Sequence, residues 1–184
     1  PSQGEPDPDD PAMPERYRVL MTCPFCHGAS LDMHFNRRDW KLEHRCSNTE
    51  CPWPEPALPF FIVDDEIYRF LPTVLVGTLD KAAGIGFQAS MRGLIGPPWG
   101  CCSIAGHGYV YAPRSKRPNG CLVPDCGGHV EALDMDSDRF GPSFRLQDEL
   151  HLLKDSLGAV DAHYESLLDH LQHTLCGSKP TILA

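Results

Sequence analysis

Eight of the nine cysteines lie in close groups, which is typical of metal sites in proteins kept in a reducing compartment. The first set joins a Cys-x2-Cys pair to a later Cys-x4-Cys pair, and its members are Cys23, Cys26, Cys46 and Cys51. The short gap lets one turn aim two thiolates at one ion, and a strand pair between the turns brings the second pair opposite. Four thiolates complete the tetrahedral sphere of a structural Zn²⁺. We therefore predict a zinc site built from these four residues.

A second set combines three cysteines with one histidine, and its members are Cys102, His107, Cys121 and Cys126. The sequence leaves two choices open, because Cys101 could replace Cys102 and His129 could replace His107. A catalytic zinc needs an open ligand position and a nearby base, and the sequence specifies neither. The pattern therefore favours a second structural zinc over a zinc hydrolase.

An adjacent pair of acids, Asp148 and Glu149, stands between a short strand-like segment and helical sequence. A carboxylate at the end of a strand can hold Mg²⁺, while its neighbour polarises the water that attacks a nucleotide phosphate. His151 follows shortly after the pair and completes this candidate catalytic group. In the alternative interpretation, the two acids are solvated side chains on a helix face.

Two basic segments are candidates for contact with nucleic acid, because cations bind phosphates and aromatic rings stack on bases. Their members are Arg37, Arg38 and Trp40 in the first segment and Arg114, Lys116 and Arg117 in the second. The formal net charge of −9 does not exclude this role, since the acids are concentrated elsewhere in the chain. A solvated hairpin is the alternative for either segment.

The elements that would position these groups follow from hydrophobic periodicity. Short strands are predicted at 17–20, 31–35, 40–42, 60–63, 108–111 and 144–146. The apolar run 72–77 predicts a strand buried on both faces, followed by a helix that Thr78 caps. Apolar residues at spacings of three and four predict a long helix over 153–175, ended by Gly177, and a new strand from Thr181. Residues 1–16, rich in proline and acids, are predicted to be disordered.

The composition restricts the class of protein. With 184 residues, of which 41% are hydrophobic and 22% charged, the chain fits one globular domain with small inserts. No apolar run approaches the roughly 18 residues of a membrane span, and no segment resembles a signal peptide. We therefore expect a cytoplasmic protein without a membrane partner.

Three segments together resemble superfamily 2 helicases. Asp148-Glu-Leu-His151 resembles motif II in its DEAH-like form, and 72–81, with Thr78 at the end of the predicted strand, resembles the motif Ib region. The segment 179–184 resembles the strand that leads into motif III. The order and spacing of these pieces, with cysteine-rich inserts between them, are similar to the helicase subunit of bacterial DISARM anti-phage systems.

The resemblance implies an α/β fold, a partial RecA-like helicase core with two small zinc-ribbon-like inserts. The implied boundaries are a zinc module at 17–63, core segments at 64–96 and 134–184, and a second zinc insert at 97–133. The implied activity is ATP-dependent translocation on DNA, with RNA as an alternative, beside a partner subunit of a defence complex. Asp148 would hold Mg²⁺, Glu149 would orient water and His151 would couple the nucleotide to the DNA site, while Thr78 would contact a backbone phosphate.

The sequence departs from that family in several respects: a second RecA-like domain and an arginine-finger segment are missing, and the strand before Asp148 carries the polar residues Arg145 and Gln147. The motif Gly-x4-Gly-Lys-Ser/Thr, whose backbone cradles nucleotide phosphates, does not occur in it. We therefore expect an internal fragment of a longer helicase, inactive as an ATPase by itself. The rival hypothesis is a non-catalytic zinc-ribbon module that binds nucleic acid or a protein.

Overall fold

The computed structural model describes residues 7–78, 88–146, 155–177 and 180–183. The helices and strands in chain order are α1 (Met13–Arg16), β1 (Leu31–Asn36), β2 (Lys41–Cys46), α2 (Asp64–Phe70), a 3-10 helix (Ala89–Leu94), β3 (Gly100–Cys102), β4 (Tyr109–Val110), β5 (Val130–Glu131), a second 3-10 helix (Ser137–Arg139), β6 (Phe144–Leu146), α3 (Asp155–Cys176) and β7 (Thr181–Leu183). In these ranges the strands form three small sheets: the antiparallel hairpin β1–β2, an antiparallel sheet in the order β4–β3–β5, and the parallel pair β6–β7. None of the described helices is long and apolar enough to cross a membrane.

The first cysteine module, residues 17–63, is built on the hairpin β1–β2. Its register pairs Leu31 with Cys46 at the open end of the hairpin. Successive strand residues point to opposite faces, so Leu31 is buried while Asp32 is exposed. Leu58 returns over the buried face, where its amide donates a hydrogen bond of 2.8 Å to the carbonyl of His44. The strand predicted at 31–35 is thus confirmed as β1, and the one predicted at 40–42 is found as β2, which begins one residue later and continues to Cys46.

Residues 7–16 differ from the predicted disorder. They include α1, which contacts β1, and Met13 within it is only 3% exposed. Asp9 forms an ion pair with Arg37 in the turn between β1 and β2. Prolines and acids dominate the composition of this segment, so composition alone did not indicate that its one large apolar residue, Met13, is buried and anchors it.

The second cysteine module, residues 97–133, contains the sheet β4–β3–β5 and packs on α2 and the first 3-10 helix. The shared core consists of Tyr68, Met91, Tyr111 and Leu122. The hydroxyl of Tyr111 donates a hydrogen bond of 2.6 Å to the carbonyl of Tyr68, which fixes α2 against β4. The two modules and the helices between them therefore form continuous packing.

The C-terminal unit β6–α3–β7 agrees with the predicted strand, long helix and new strand. β6 and β7 are parallel, with Arg145 opposite Ile182. Gly177 has φ 68°, and its amide donates a hydrogen bond of 2.8 Å to the carbonyl of His173, as expected of a glycine that ends a helix. Gln172 of α3 is fully buried and donates to the carbonyl of Pro142. The mixed helix and strand content is compatible with the α/β expectation.

The prediction of a buried strand at 72–77 is wrong. These residues form no strand, and Val74 and Val76 are 78% and 90% exposed. A strand buried on both faces requires flanking strands, and none of the strands in the described ranges pairs with this segment. The helix predicted after Thr78 falls on 79–87, outside the described residues.

The segments 17–20 and 60–63 also form no strands. Side-chain contacts hold them instead. The amides of Val19 and Leu20 donate to Nε2 of His44, over 3.2 and 3.3 Å. Phe61 stacks on Phe70 with ring centroids 5.1 Å apart. Both segments are therefore held by contacts with side chains, and neither pairs with a neighbouring strand in the described ranges.

Candidate metal centres

The first cluster of cysteines forms at the open end of the β1–β2 hairpin. Cys23 and Cys26 lie in a tight turn, in which the amide of His27 donates to the carbonyl of Cys23 over 2.8 Å. Cys46 is the last residue of β2. Cys51 follows in a turn, in which its amide donates a hydrogen bond to the carbonyl of Asn48. The sequence therefore places one pair of thiols on each of two adjacent turns.

The spacing of the four sulfurs fits a tetrahedral ion. All four Sγ atoms lie within 4.8 Å of one another, with 3.7 Å both from Cys23 to Cys51 and from Cys26 to Cys46. Zn–S bonds of about 2.3 Å in a tetrahedron require an S–S distance of about 3.8 Å. All nine cysteines are free thiols. The cluster could thus hold a zinc ion with no ligand position left open.

The second cluster lies in the core of the second cysteine module. Nδ1 of His107 is 3.7 Å from the sulfur of Cys102, 3.6 Å from that of Cys121 and 3.2 Å from that of Cys126. His107 is 5% exposed and Cys121 only 1%. These three thiols and one imidazole nitrogen again match a closed tetrahedral set, which could hold a second zinc ion.

The structure separates the alternatives that the sequence left open. Cys101 and Cys102 are neighbours on β3 and therefore point to opposite sides of the sheet, and the sulfur of Cys102 is the one in the cluster. The side chain of His129 is 79% exposed, and its Nε2 lies 3.7 Å from Glu131. Gly128 leaves the space that the cluster needs, since a Cβ there would lie 2.9 Å from Sγ of Cys102.

The thiols are held in unequal environments. A hydrogen bond from the side chain of Asn48 lowers the pKa of Cys26 to about 6. Burial raises the pKa of Cys121 to about 12. A divalent cation favours the thiolate form of every ligand, so metal binding would release protons from this set.

Arg69 on α2 is 1% exposed and bonds to both cysteine modules. Its guanidinium donates four hydrogen bonds to main-chain carbonyls. The acceptors are Asp39 at 2.5 Å and Trp40, Gly106 and His107 at 2.8 Å each. Burial lowers the pKa of Arg69, while the charges of Cys121 and Glu66 oppose that effect. One buried cation thus holds the hairpin turn of the first module and the His107 turn of the second.

Glu66, one helical turn before Arg69, is buried with it. Its Oε1 accepts a hydrogen bond of 2.6 Å from the amide of Leu42, whereas Oε2 has no partner among the described residues. Burial raises the pKa of Glu66 to about 7, against the opposing effects of that amide and of the charges of Arg69 and Lys41. The charge of Glu43 adds to the increase.

Glu66→Gln should therefore change how stability depends on pH. A carboxyl whose pKa is raised from 4.5 to about 7 on folding stabilises the protein below its unfolded pKa and loses that contribution as pH rises through its folded pKa. Between about pH 6 and pH 8, the wild-type free energy of unfolding should fall relative to that of the variant by on the order of 1 kcal/mol. Urea unfolding of both proteins at the two pH values measures this. An equal difference at both values would contradict it.

None of the remaining predicted site residues that the structure describes belongs to either cluster. Arg38 is highly exposed, Arg37 pairs with Asp9, and Arg117 pairs with Asp65 over 3.0 Å. Three further predicted residues are also exposed, namely Thr78, Arg114 and Lys116. Trp40 is half-buried, contacts the ring of Phe35 edge-on, and packs against the core around the second cluster. Asp148, Glu149 and His151 lie outside the described residues.

Sequence reasoning missed two groups that support the clusters. Arg69 stands in an ordinary helical segment, and its sequence neighbours give no signal of burial. The side-chain amide of Asn119 donates to the carbonyls of Cys126 and Gly128 over 2.9 and 2.8 Å, which holds the second cysteine turn. An asparagine two residues before a ligand cysteine is the one local cue that could have indicated this role.

The chain is similar to part of one curated protein. It is 30% identical over 161 residues to DISARM protein DrmA of Bacillus paralicheniformis, an alignment that covers 84% of this chain. The chain spans 14% of the length of that protein. No family model and no solved structure matches the chain.

Proposed function

We propose that this chain is a zinc-stabilised segment of an anti-phage defence protein related to DrmA. The main support for this proposal is the presence of two clusters that each bring four candidate metal ligands together. In addition, 84% of the chain aligns with that DISARM protein. Closed ligand sets leave no position for substrate or water, so the two ions would be structural. Each would fix a module too small to hold its shape by hydrophobic burial alone.

We also infer that the segment belongs to a cytoplasmic, ATP-dependent DNA helicase or translocase of superfamily 2, acting with a partner subunit of the defence complex. The parallel unit β6–α3–β7 supports this, because Asp148 and Glu149 follow the end of β6 after one intervening residue in the sequence. In open α/β sheets, ligands bind beyond the carboxyl ends of parallel strands. Asp148 would hold Mg²⁺ and Glu149 would orient water at ATP, with His151 as the relay and Thr78 at the DNA backbone.

The second candidate function is a non-catalytic module that binds nucleic acid through its basic segments. The observation in its favour is the exposure of three cations: the side chain of Arg38 is 81% exposed, and Arg114 and Lys116 stand on a tight, exposed hairpin. RNA would serve as well as DNA, because phosphate contacts do not depend on sequence.

Charge reversal at Arg38, Arg114 and Lys116 should weaken binding to DNA. Each phosphate that the protein no longer neutralises keeps its counterion, so the slope of log affinity against log salt should flatten by about one for each such phosphate. Titration of a labelled duplex at several salt concentrations measures the slope. Arg139→Glu, an exposed cation outside both basic segments, is the matched control and should keep a steeper slope. Equal slopes in all variants would mean that the basic segments are only solvated surface.

A further inference from the structure

Arg69 is the one residue whose side chain bonds both cysteine modules in the described ranges. Two of its acceptors, the carbonyls of Asp39 and Trp40, belong to the β1–β2 turn. The other two, those of Gly106 and His107, belong to the turn that carries the histidine of the second cluster. A planar guanidinium with five donors suits such a four-way contact, which an ammonium group cannot reproduce.

The surfaces that Arg69 joins are in close contact. A Cβ at Gly106, whose φ is 85°, would lie 2.4 Å from Oδ1 of Asp39, and one at Gly108 would lie 2.3 Å from the carbonyl oxygen of Arg69. Trp40 packs against the apolar residues that surround the second cluster. The hairpin turn of the first module is therefore part of the wall around the second metal site.

The positive charge of Arg69 is also opposite in sign to the charge that the second cluster would carry with zinc bound. Three thiolates, one neutral imidazole and one Zn²⁺ carry a net charge of about −1. In the described residues, no carboxylate forms an ion pair with the buried guanidinium. The loaded second cluster would thus add to the negative charge that Glu66, buried one helical turn away, already places near this buried cation.

The same turn leads to the first cluster. Trp40 immediately precedes β2, and β2 ends at Cys46, a ligand of the first site. If the first module loses its metal, its hairpin loses the constraint at the open end, and a short isolated hairpin is marginally stable in water. Release of the turn would then remove two acceptors from Arg69 and uncover the second cluster.

We propose that Arg69 couples the two metal sites, so that occupation of either one slows metal loss from the other. The inference rests on the proposed occupation of both clusters by zinc. Coupling of the two metal affinities is reciprocal and usually corresponds to 5- to 150-fold effects, so about tenfold is expected here, carried mainly by the rate of metal release. Arg69 is a positioning residue in this scheme, acting through the His107 turn and the β1–β2 turn.

A double-mutant cycle on the 184-residue chain tests the coupling. The chain is loaded with Co²⁺, whose d–d absorption differs between a four-thiolate site and a site with three thiolates and one imidazole. Release of the second metal to a chelator is then timed. Cys46→Ser, which removes the first site, should speed this release about tenfold in the wild-type background. In the Arg69→Met background release should already be fast, and Cys46→Ser should add less than about twofold.

Three further variants separate the origins of the effect. Arg69→Lys keeps the positive charge but lacks the planar set of N–H donors. This variant should therefore still show little coupling between the two sites. Gly106→Ala disturbs the same junction without altering Arg69, so it keeps the test valid if Arg69→Met does not fold. Gly127→Ala adds a Cβ beside Cys126 in open space and should behave as wild type.

Suppose that the wild-type chain binds two ions but releases the second metal equally fast with and without the first site. That result would overturn the proposed coupling and leave the two zinc sites in place. A chain that binds no metal would overturn the proposed zinc sites first.

Discussion

Cys46→Ser should leave a chain that binds one zinc ion instead of two and has an unfolded first cysteine module. Cys46 closes the first cluster from the end of β2. Apart from Cys23, itself in the cluster, the buried apolar residues of this core are Leu31 and Leu58, with Leu20, Trp53 and Phe60 partly buried against them. Structural zinc contributes an apparent 10–16 kcal/mol in zinc-finger peptides, roughly the whole stability of a typical domain. Loss of one thiolate therefore removes more free energy than so small a core can replace.

Metal analysis and amide hydrogen exchange together measure this result. Wild-type protein kept reduced should contain close to two zinc ions per chain, and the amides of β1 and β2 should be protected. The variant should contain one ion and lose protection across the hairpin. Cys101→Ser is the matched control, because Cys101 adjoins a ligand yet lies outside both clusters. Cys176 would serve less well, since it is buried with its thiol 3.5 Å from the carbonyl of Ile95. A wild-type chain without zinc would contradict the prediction.

The grouping of the candidate ligands could be predicted because it depends on local spacing. A Cys-x2-Cys turn brings two thiols together whatever the rest of the chain does, and the intervening alternation predicted the hairpin that joins Cys26 to Cys46. The choice between Cys101 and Cys102 depends instead on which face of β3 meets the second cluster. That face is set by the pairing of β3 with β4, which follows shortly after it, and with β5, which lies much further along the sequence and places Glu131 opposite Cys101.

Long-range contacts account for the other differences. The run at 72–77 has the composition of a buried strand, but burial is a property of its neighbours, and Val76 is 90% exposed. Arg69 is charged and would be placed on the surface by any local rule, yet it is buried because four carbonyls from two distant turns converge on it. By contrast, the stripe of α3 spans many turns of one helix, so its existence and its end at Gly177 could be predicted without tertiary information.

Glu149→Gln should abolish most ATP hydrolysis in a longer protein that carries this segment together with a phosphate-binding loop. The substitution keeps the shape of the side chain and removes the carboxylate that would orient the attacking water, so ATP binding should persist while turnover falls by about three orders of magnitude. Asp148→Asn should in addition weaken Mg²⁺-dependent nucleotide binding, because it removes the metal ligand. His151→Ala should lower the DNA-stimulated rate more than the basal rate, if His151 relays between the two sites.

Steady-state ATPase assays with and without DNA, alongside nucleotide binding at equilibrium, distinguish these effects. Glu165→Gln on α3 is the matched control, since it makes the same chemical change at a residue outside the acid pair, and it should leave hydrolysis unchanged. The zinc content of every variant should equal that of wild type, because both clusters are remote from the acid pair in sequence. Wild-type hydrolysis by a folded, zinc-loaded Glu149→Gln protein would refute the translocase hypothesis and leave the two acids as solvated residues beside a zinc-stabilised binding module.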